Sequence, residues 1–121
     1  MRHPFFWVIN MEKIITFEDF TKVDLRIGTI LKVNDFPNAR KPAYQLTIDF
    51  GDLGIKKSSA QITSQYKKED LVNRQIVAVV NFPKKQIADF ISECLVIGAV
   101  KENDVFLLYP ETKVKNGMVV S

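Results

Sequence analysis

The chain has 121 residues, 46% of them hydrophobic and 26% charged, which is enough to bury one core and too few for two ordinary domains. A single cysteine excludes a disulfide framework, and one cysteine with one histidine excludes a structural zinc site. The formal net charge of +3 hides an asymmetry, because residues 40–85 hold nine Lys or Arg against four Asp or Glu while the remainder holds eight against ten. Positive potential is therefore concentrated in the middle third.

At the N-terminus the apolar run from Phe5 to Ile9 is too short for a membrane span or a signal-peptide core. No membrane insertion is expected, and the cytoplasm is the expected compartment. Residues 1–11 are read as an extension, with Met11 as a second possible start, and residues 12–121 as the domain. Thr16-Phe17-Glu18-Asp19 pairs a capping residue with an acid three positions on, which predicts a short helix to about Lys22. The period then becomes two. Leu25, Ile27, Thr29, Leu31 and Val33 alternate with Arg26, Gly28, Ile30 and Lys32, predicting a long strand with Gly28 as its bend or bulge.

After the Phe36-Pro37-Asn38 turn, Tyr44, Leu46, Ile48 and Phe50 predict a second strand. The Gly51-Asp52-Leu53-Gly54 turn joins it to a third near Ile55–Ser59. Ser58 or Ser59 is expected to cap one or two helical turns that set Ile62 and Tyr66 on one face. The β-branched run Ile76 to Val80 predicts a strand buried on both faces, and Leu95 to Ile97 and Val105 to Leu108 read the same way. A helix between the third and fourth of five strands predicts an all-β, OB-fold five-stranded barrel with terminal extensions. An SH3-like barrel or a small sandwich fits the same five strands.

Catalysis finds little support. Ser92-Glu93-Cys94 lacks a base, since the only histidine is His3 in the extension. Glu93 and Cys94 are neighbours on a predicted strand and should face opposite ways, with Cys94 packed in the core. No calcium loop, Walker loop or Gly-x-Gly-x-x-Gly run is present, and no cofactor is expected. What survives is Asn81-Phe82-Pro83-Lys84-Lys85-Gln86, a mixture suited to phosphates and unpaired bases. Phe82 is expected in the core, whereas Lys84 and Lys85 suit solvent or phosphate equally from the residues alone.

Six blocks in order carry a resemblance: Val23 to Ile30, Phe36 to Ala39, Asp49 to Gly51, Ser58 to Ile62, Val80 to Pro83 and Ser92 to Gly98. Together they resemble the tRNA-binding domain family and, within it, the CsaA type of export-related chaperone. The resemblance covers about Thr16 to Ser121. It implies a non-catalytic, homodimeric OB-fold protein that binds tRNA or structured RNA, with chaperone activity toward unfolded or precursor polypeptides. The alternative it leaves is a dedicated chaperone whose basic surface binds RNA non-specifically. Carried over by position, the implied tRNA-binding residues are Arg26, Lys56, Lys57, Ser58, Ser59, Gln61, Asn81, Lys84, Lys85, Gln86, Ser92 and Glu93. Many members have an arginine pair or second proline where this chain has Lys84-Lys85, so the charge is kept and the bidentate fork is lost.

Overall fold

The structure, a computed structural model, describes residues 13–121. The expected extension, with His3 and Met11, lies outside them. Helix α1 (Phe17–Thr21) forms where expected: the Asp19 N–H donates to Thr16 Oγ1 at 3.0 Å, and the Thr16 N–H donates back to the Asp19 carboxylate at 3.2 Å. That reciprocal box satisfies two N–H groups that a five-residue helix would otherwise leave open.

Strand β1 (Leu25–Asp35) is long enough to serve several partners. Residues 25–29 pair with β4 (Gln75–Val79), residues 29–35 with β2 (Tyr44–Asp49), and Leu25 and Arg26 also with β10 (Val119–Val120). All are antiparallel. The expected bulge exists but not at Gly28, whose register with Ile76 is unbroken; the register shifts instead between Ile30 and Lys32. Leu31 is the extra residue, and inserting it flips the alternation. Gly28 and Ile30 face inward ahead of the bulge, Leu31 is pushed out and exposed, and the shift brings Val33 against the core.

Gly28 is required for a different reason. A Cβ at this position would sit 2.7 Å from Ile48 Cγ2 and 2.7 Å from two ring carbons of Phe50, both immobile core groups. Gly28→Ala is expected to cost about 1–3 kcal/mol, because the core must shift to admit one methyl. A denaturant melt that returned the wild-type midpoint would contradict this packing.

Strand β2 shows strict alternation, with Tyr44, Leu46 and Ile48 buried. A 3-10 turn, Gly51–Leu53, leads to β3 (Ile55–Ala60), which pairs with β2 in full register. A helix does stand between the third and fourth strands, but it is α2 (Lys68–Leu71), later than expected. Ser58 and Ser59 belong to β3 and cap nothing, since their backbone is already committed to the sheet. Residues 62–66 make one isolated turn, in which the Tyr66 N–H donates to the Ile62 carbonyl at 3.1 Å. This still turns Ile62 and Tyr66 toward the core.

The remaining strands are short: β5 (Lys85–Ile87), β6 (Phe90–Ser92), β7 (Leu95–Val96), β8 (Gly98–Lys101) and β9 (Asp104–Leu107). The main sheet runs β3-β2-β1-β4-β7, so five strands curl into a nearly closed barrel with β3 approaching β6 and β7. This is the all-β, OB-like architecture. Ile30, Leu46, Ile48, Phe50, Leu71 and Ile76 are fully buried inside it, each contributing roughly 1.5–3 kcal/mol of apolar burial. A second cluster of Phe36, Ala43 and Phe90 fastens the β1–β2 loop to the β5–β6 hairpin, with the two rings 5.4 Å apart. No helix among the described residues is long and apolar enough to cross a membrane.

Candidate nucleic-acid interface

The strand period decides which residues of β3 look outward. Ser58 and Ala60 face the core, so Lys57, Ser59 and Gln61 project together on the other side while Lys56, half-buried, shares the face of Ser58. Ser58 is 0% exposed, and its hydroxyl donates to the Ser59 carbonyl at 3.2 Å. It has no surface to offer a ligand in this conformation.

Outside β3 lies a groove of about 770 Å³. Ser59, Gln61, Lys84, Lys85 and Ser92 line it, so five of the twelve expected residues meet in one place. Its floor and walls are apolar, including Phe82, Pro83, Leu95, Ile97 and Val100. Phe82, expected in the core, is 51% exposed here. Pro83 has no N–H to extend a strand, so the chain leaves the sheet after β4 and carries the ring out with it. Lys84, Lys85 and Gln86 are all exposed on the segment that enters β5. Gln86 lies outside the groove lining, with its amide donating to the Ala88 carbonyl at 3.2 Å.

Ser92 and Glu93 close the barrel. The Ser59 N–H donates to Ser92 Oγ at 3.2 Å, the Lys57 N–H donates to Glu93 Oε1 at 3.0 Å, and the Glu93 N–H donates to the Lys57 carbonyl at 2.7 Å. These bonds bridge the gap where β3 and β7 do not pair. The second Glu93 oxygen lies 3.8 Å from Lys84 Nζ, which ties the basic rim to this seam. Nothing in the sequence marks that role, because Glu93 and Lys57 are 36 positions apart.

Two expected residues are held elsewhere. The Asn81 carboxamide accepts from the Asp24 N–H at 3.0 Å and donates to the Lys22 carbonyl at 2.7 Å, tying the α1–β1 connection to the end of β4. Arg26 donates through Nε to Asp24 at 2.6 Å and through Nη1 to the Gly117 carbonyl at 2.9 Å. It lines a small recess of about 200 Å³ with Asn116 and Met118, separate from the main groove.

Cys94 sits in the bend between β6 and β7 rather than on a strand, but it is buried in the core as expected. Burial pushes its thiol up from 9.0 to about 12, opposed in part by the nearby Lys56 charge. At neutral pH it is protonated in both folded and unfolded chains. As pH rises past 9 the unfolded thiol ionises first, so its contribution to stability declines between about pH 9 and pH 12. A thiol reagent at pH 8 is expected to label Cys94 only after denaturation; rapid labelling of the folded protein would contradict the burial. No group of three or more His, Cys, Asp or Glu among the described residues could hold a metal ion.

A basic rim over an apolar, partly aromatic groove on an OB-like barrel fits the family comparison. The model of the family described as "Putative tRNA binding domain" matches residues 25–119. The chain belongs to that family. Within it the chain is CsaA-like: the structure of the chaperone CsaA from Bacillus anthracis superposes with a TM-score of 0.86 at 54% identity, covering 89% of this chain and 99% of that one. CsaA from Picrophilus torridus gives 0.83 at 52% identity, covering 89% and 100%. The methionine–tRNA ligase of Pyrococcus abyssi is 38% identical over 109 residues, 90% of this chain but 15% of that enzyme. The similarity to the ligase is thus confined to one segment of it.

Proposed function

We propose that this CsaA-like domain is a non-catalytic tRNA-binding module of the cytoplasm, acting as a homodimer and also shielding unfolded or export-bound polypeptides. One observation carries the RNA reading: Lys84 and Lys85 stand over a groove that also presents Ser59, Gln61 and the exposed Phe82 ring. Lysines neutralise phosphate, amides and hydroxyls bond base edges, and an exposed ring stacks on an unpaired base. In this reading Lys57, Ser59, Gln61, Lys84, Lys85 and Gln86 touch RNA. Arg26, Ser58, Asn81, Ser92 and Glu93 act on it through the barrel they hold together, and half-buried Lys56 through its charge alone.

The chaperone reading is favoured by the apolar lining, since Phe82, Leu95 and Val100 remain solvent-exposed in the groove. The dimer is favoured by a second apolar surface away from it. Ile14, Ile15 and Phe17 are exposed around α1, Phe17 by 79%, more than a solitary domain gains from showing. Residues 12–121 form the working unit in this reading, with residues 1–11 as an extension.

Competition separates the two ligands. Labelled tRNA bound to the protein is titrated with an unfolded polypeptide, and displacement is expected if both use the groove. Failure of the protein to bind tRNA at about 0.1 M salt would overturn the RNA reading. Independent binding of both ligands would move the chaperone surface elsewhere.

A further inference from the structure

The barrel carries a second arrangement, at the end of α2, that the groove does not use. Arg74 is clamped by its backbone: its N–H donates to the Leu71 carbonyl at 3.0 Å, and its carbonyl accepts from the Ile30 N–H at 2.9 Å. Its guanidinium carbon lies 5.1 Å from the Tyr66 ring centre and 5.4 Å from that of Tyr109. Tyr66 is itself fixed, because its hydroxyl accepts from the Leu107 N–H at 3.0 Å and its carbonyl accepts from Tyr44 Oη at 2.8 Å.

Two ring contacts hold the cation in place and satisfy none of its five N–H donors. Among the described residues Arg74 has no carboxylate or carbonyl partner for its side chain, although it is half-buried. The neighbouring acids are engaged elsewhere: Asp70 accepts from the Lys67 N–H, and Asp35 pairs with Lys68. A guanidinium so oriented and unpaired is suited to a bidentate anion. Beside it, Tyr109 is 60% exposed and offers aromatic surface to a ligand. Leu107, whose backbone bonds Tyr66, also lines the groove, so the two surfaces adjoin.

We infer that Arg74 and Tyr109 form a second nucleotide contact, the guanidinium gripping a backbone phosphate and the exposed tyrosine stacking on an unpaired base of the same RNA that occupies the groove. The inference rests on the tRNA reading and extends its footprint past β9. It accounts for a planar guanidinium oriented by two aromatic rings at a place where a lysine would supply charge alone.

The test is tRNA binding by fluorescence anisotropy across a salt series. Tyr109→Leu is expected to weaken binding about five- to tenfold with the salt slope unchanged, since a stacked ring displaces no counterions. Arg74→Lys should weaken it several-fold at constant slope because the charge stays, while Arg74→Ala should also lower the slope by about one. Tyr109 is exposed, so its variant tests the site even if Arg74→Ala does not fold. Wild-type affinity in Tyr109→Leu and Arg74→Lys, alongside weakened binding by a Lys84→Glu, Lys85→Glu double variant, would overturn the inference and leave the groove reading intact. Failure of the wild-type protein to bind tRNA would overturn both. Loss of polypeptide binding with tRNA affinity unchanged, or a changed elution volume with unchanged affinity per protomer, would assign the pair to a protein contact and overturn it as well.

Discussion

Replacing Lys84 and Lys85 together by glutamate should reduce tRNA affinity by about ten- to a hundredfold at ~0.1 M salt. Each lysine that neutralises a phosphate releases counterions and contributes about 0.9 to the slope of log affinity against log salt. Removing two should lower that slope by about two. Both side chains are exposed, Lys84 just before β5 and Lys85 at its first position, and among the described residues only Lys84 has an acidic partner, Glu93 at 3.8 Å. Such an exposed pair is worth little to stability, so the melting temperature should be preserved. Lys113→Glu, at an exposed position outside the groove lining, serves as the control for overall charge. Equal losses in the control and the double variant would mean that RNA sees the whole field of the protein rather than this rim.

Glu93→Ala should destabilise the fold by about 1–3 kcal/mol, because it leaves the Lys57 N–H without its acceptor in the seam between β3 and β7. Glu93→Gln keeps a carbonyl oxygen in reach and should recover most of the loss. Affinity of the folded protein for tRNA should hold steady or rise slightly, since a negative charge has left the rim near Lys84. Denaturant melts and anisotropy titrations on the same samples separate the two effects. Unchanged stability with abolished binding would make Glu93 a direct RNA contact, the role that the family resemblance implied.

The sequence carried the barrel because its signals are local. Alternation in Tyr44 to Phe50, the Gly51 to Gly54 turn and the apolar Ile76 to Val79 run each fix an element without reference to distant residues. The structure departs from these local signals where distant residues decide. Gly28 read as a bend because glycine in a strand has two uses, and only the placement of Ile48 and Phe50 selects close packing. Ser58 and Ser59 read as helix caps because capping and pairing suit the same residue type, and the register with β2 settles it.

The proximity of several expected residues was legible in the sequence only through the order of their blocks. The blocks containing Lys57, Ser59, Gln61, Lys84, Lys85 and Ser92 do meet around one groove or its edge, although β3 and β5 are far apart in the chain. Period-two alternation alone could have split Lys57 from Ser58. No sequence rule assigns Ser92 and Glu93 to the seam, or sets Arg74 beside Tyr109, since those contacts exist only after the barrel curls. Phe82 was misplaced because an aromatic next to a strand is usually core, and Pro83 was the signal that the strand had already ended.

In the proposed function tRNA lies along the groove between β3 and the β4–β5 segment. Backbone amide chemical shifts of isotopically labelled protein, followed by NMR during titration with tRNA, test it most directly. The largest shifts are expected at Ser59, Gln61, Phe82, Lys85 and Leu95, with Asn116 and Gly117 near the Arg26 recess little affected. Shifts concentrated at that recess, with the groove silent, would contradict the account.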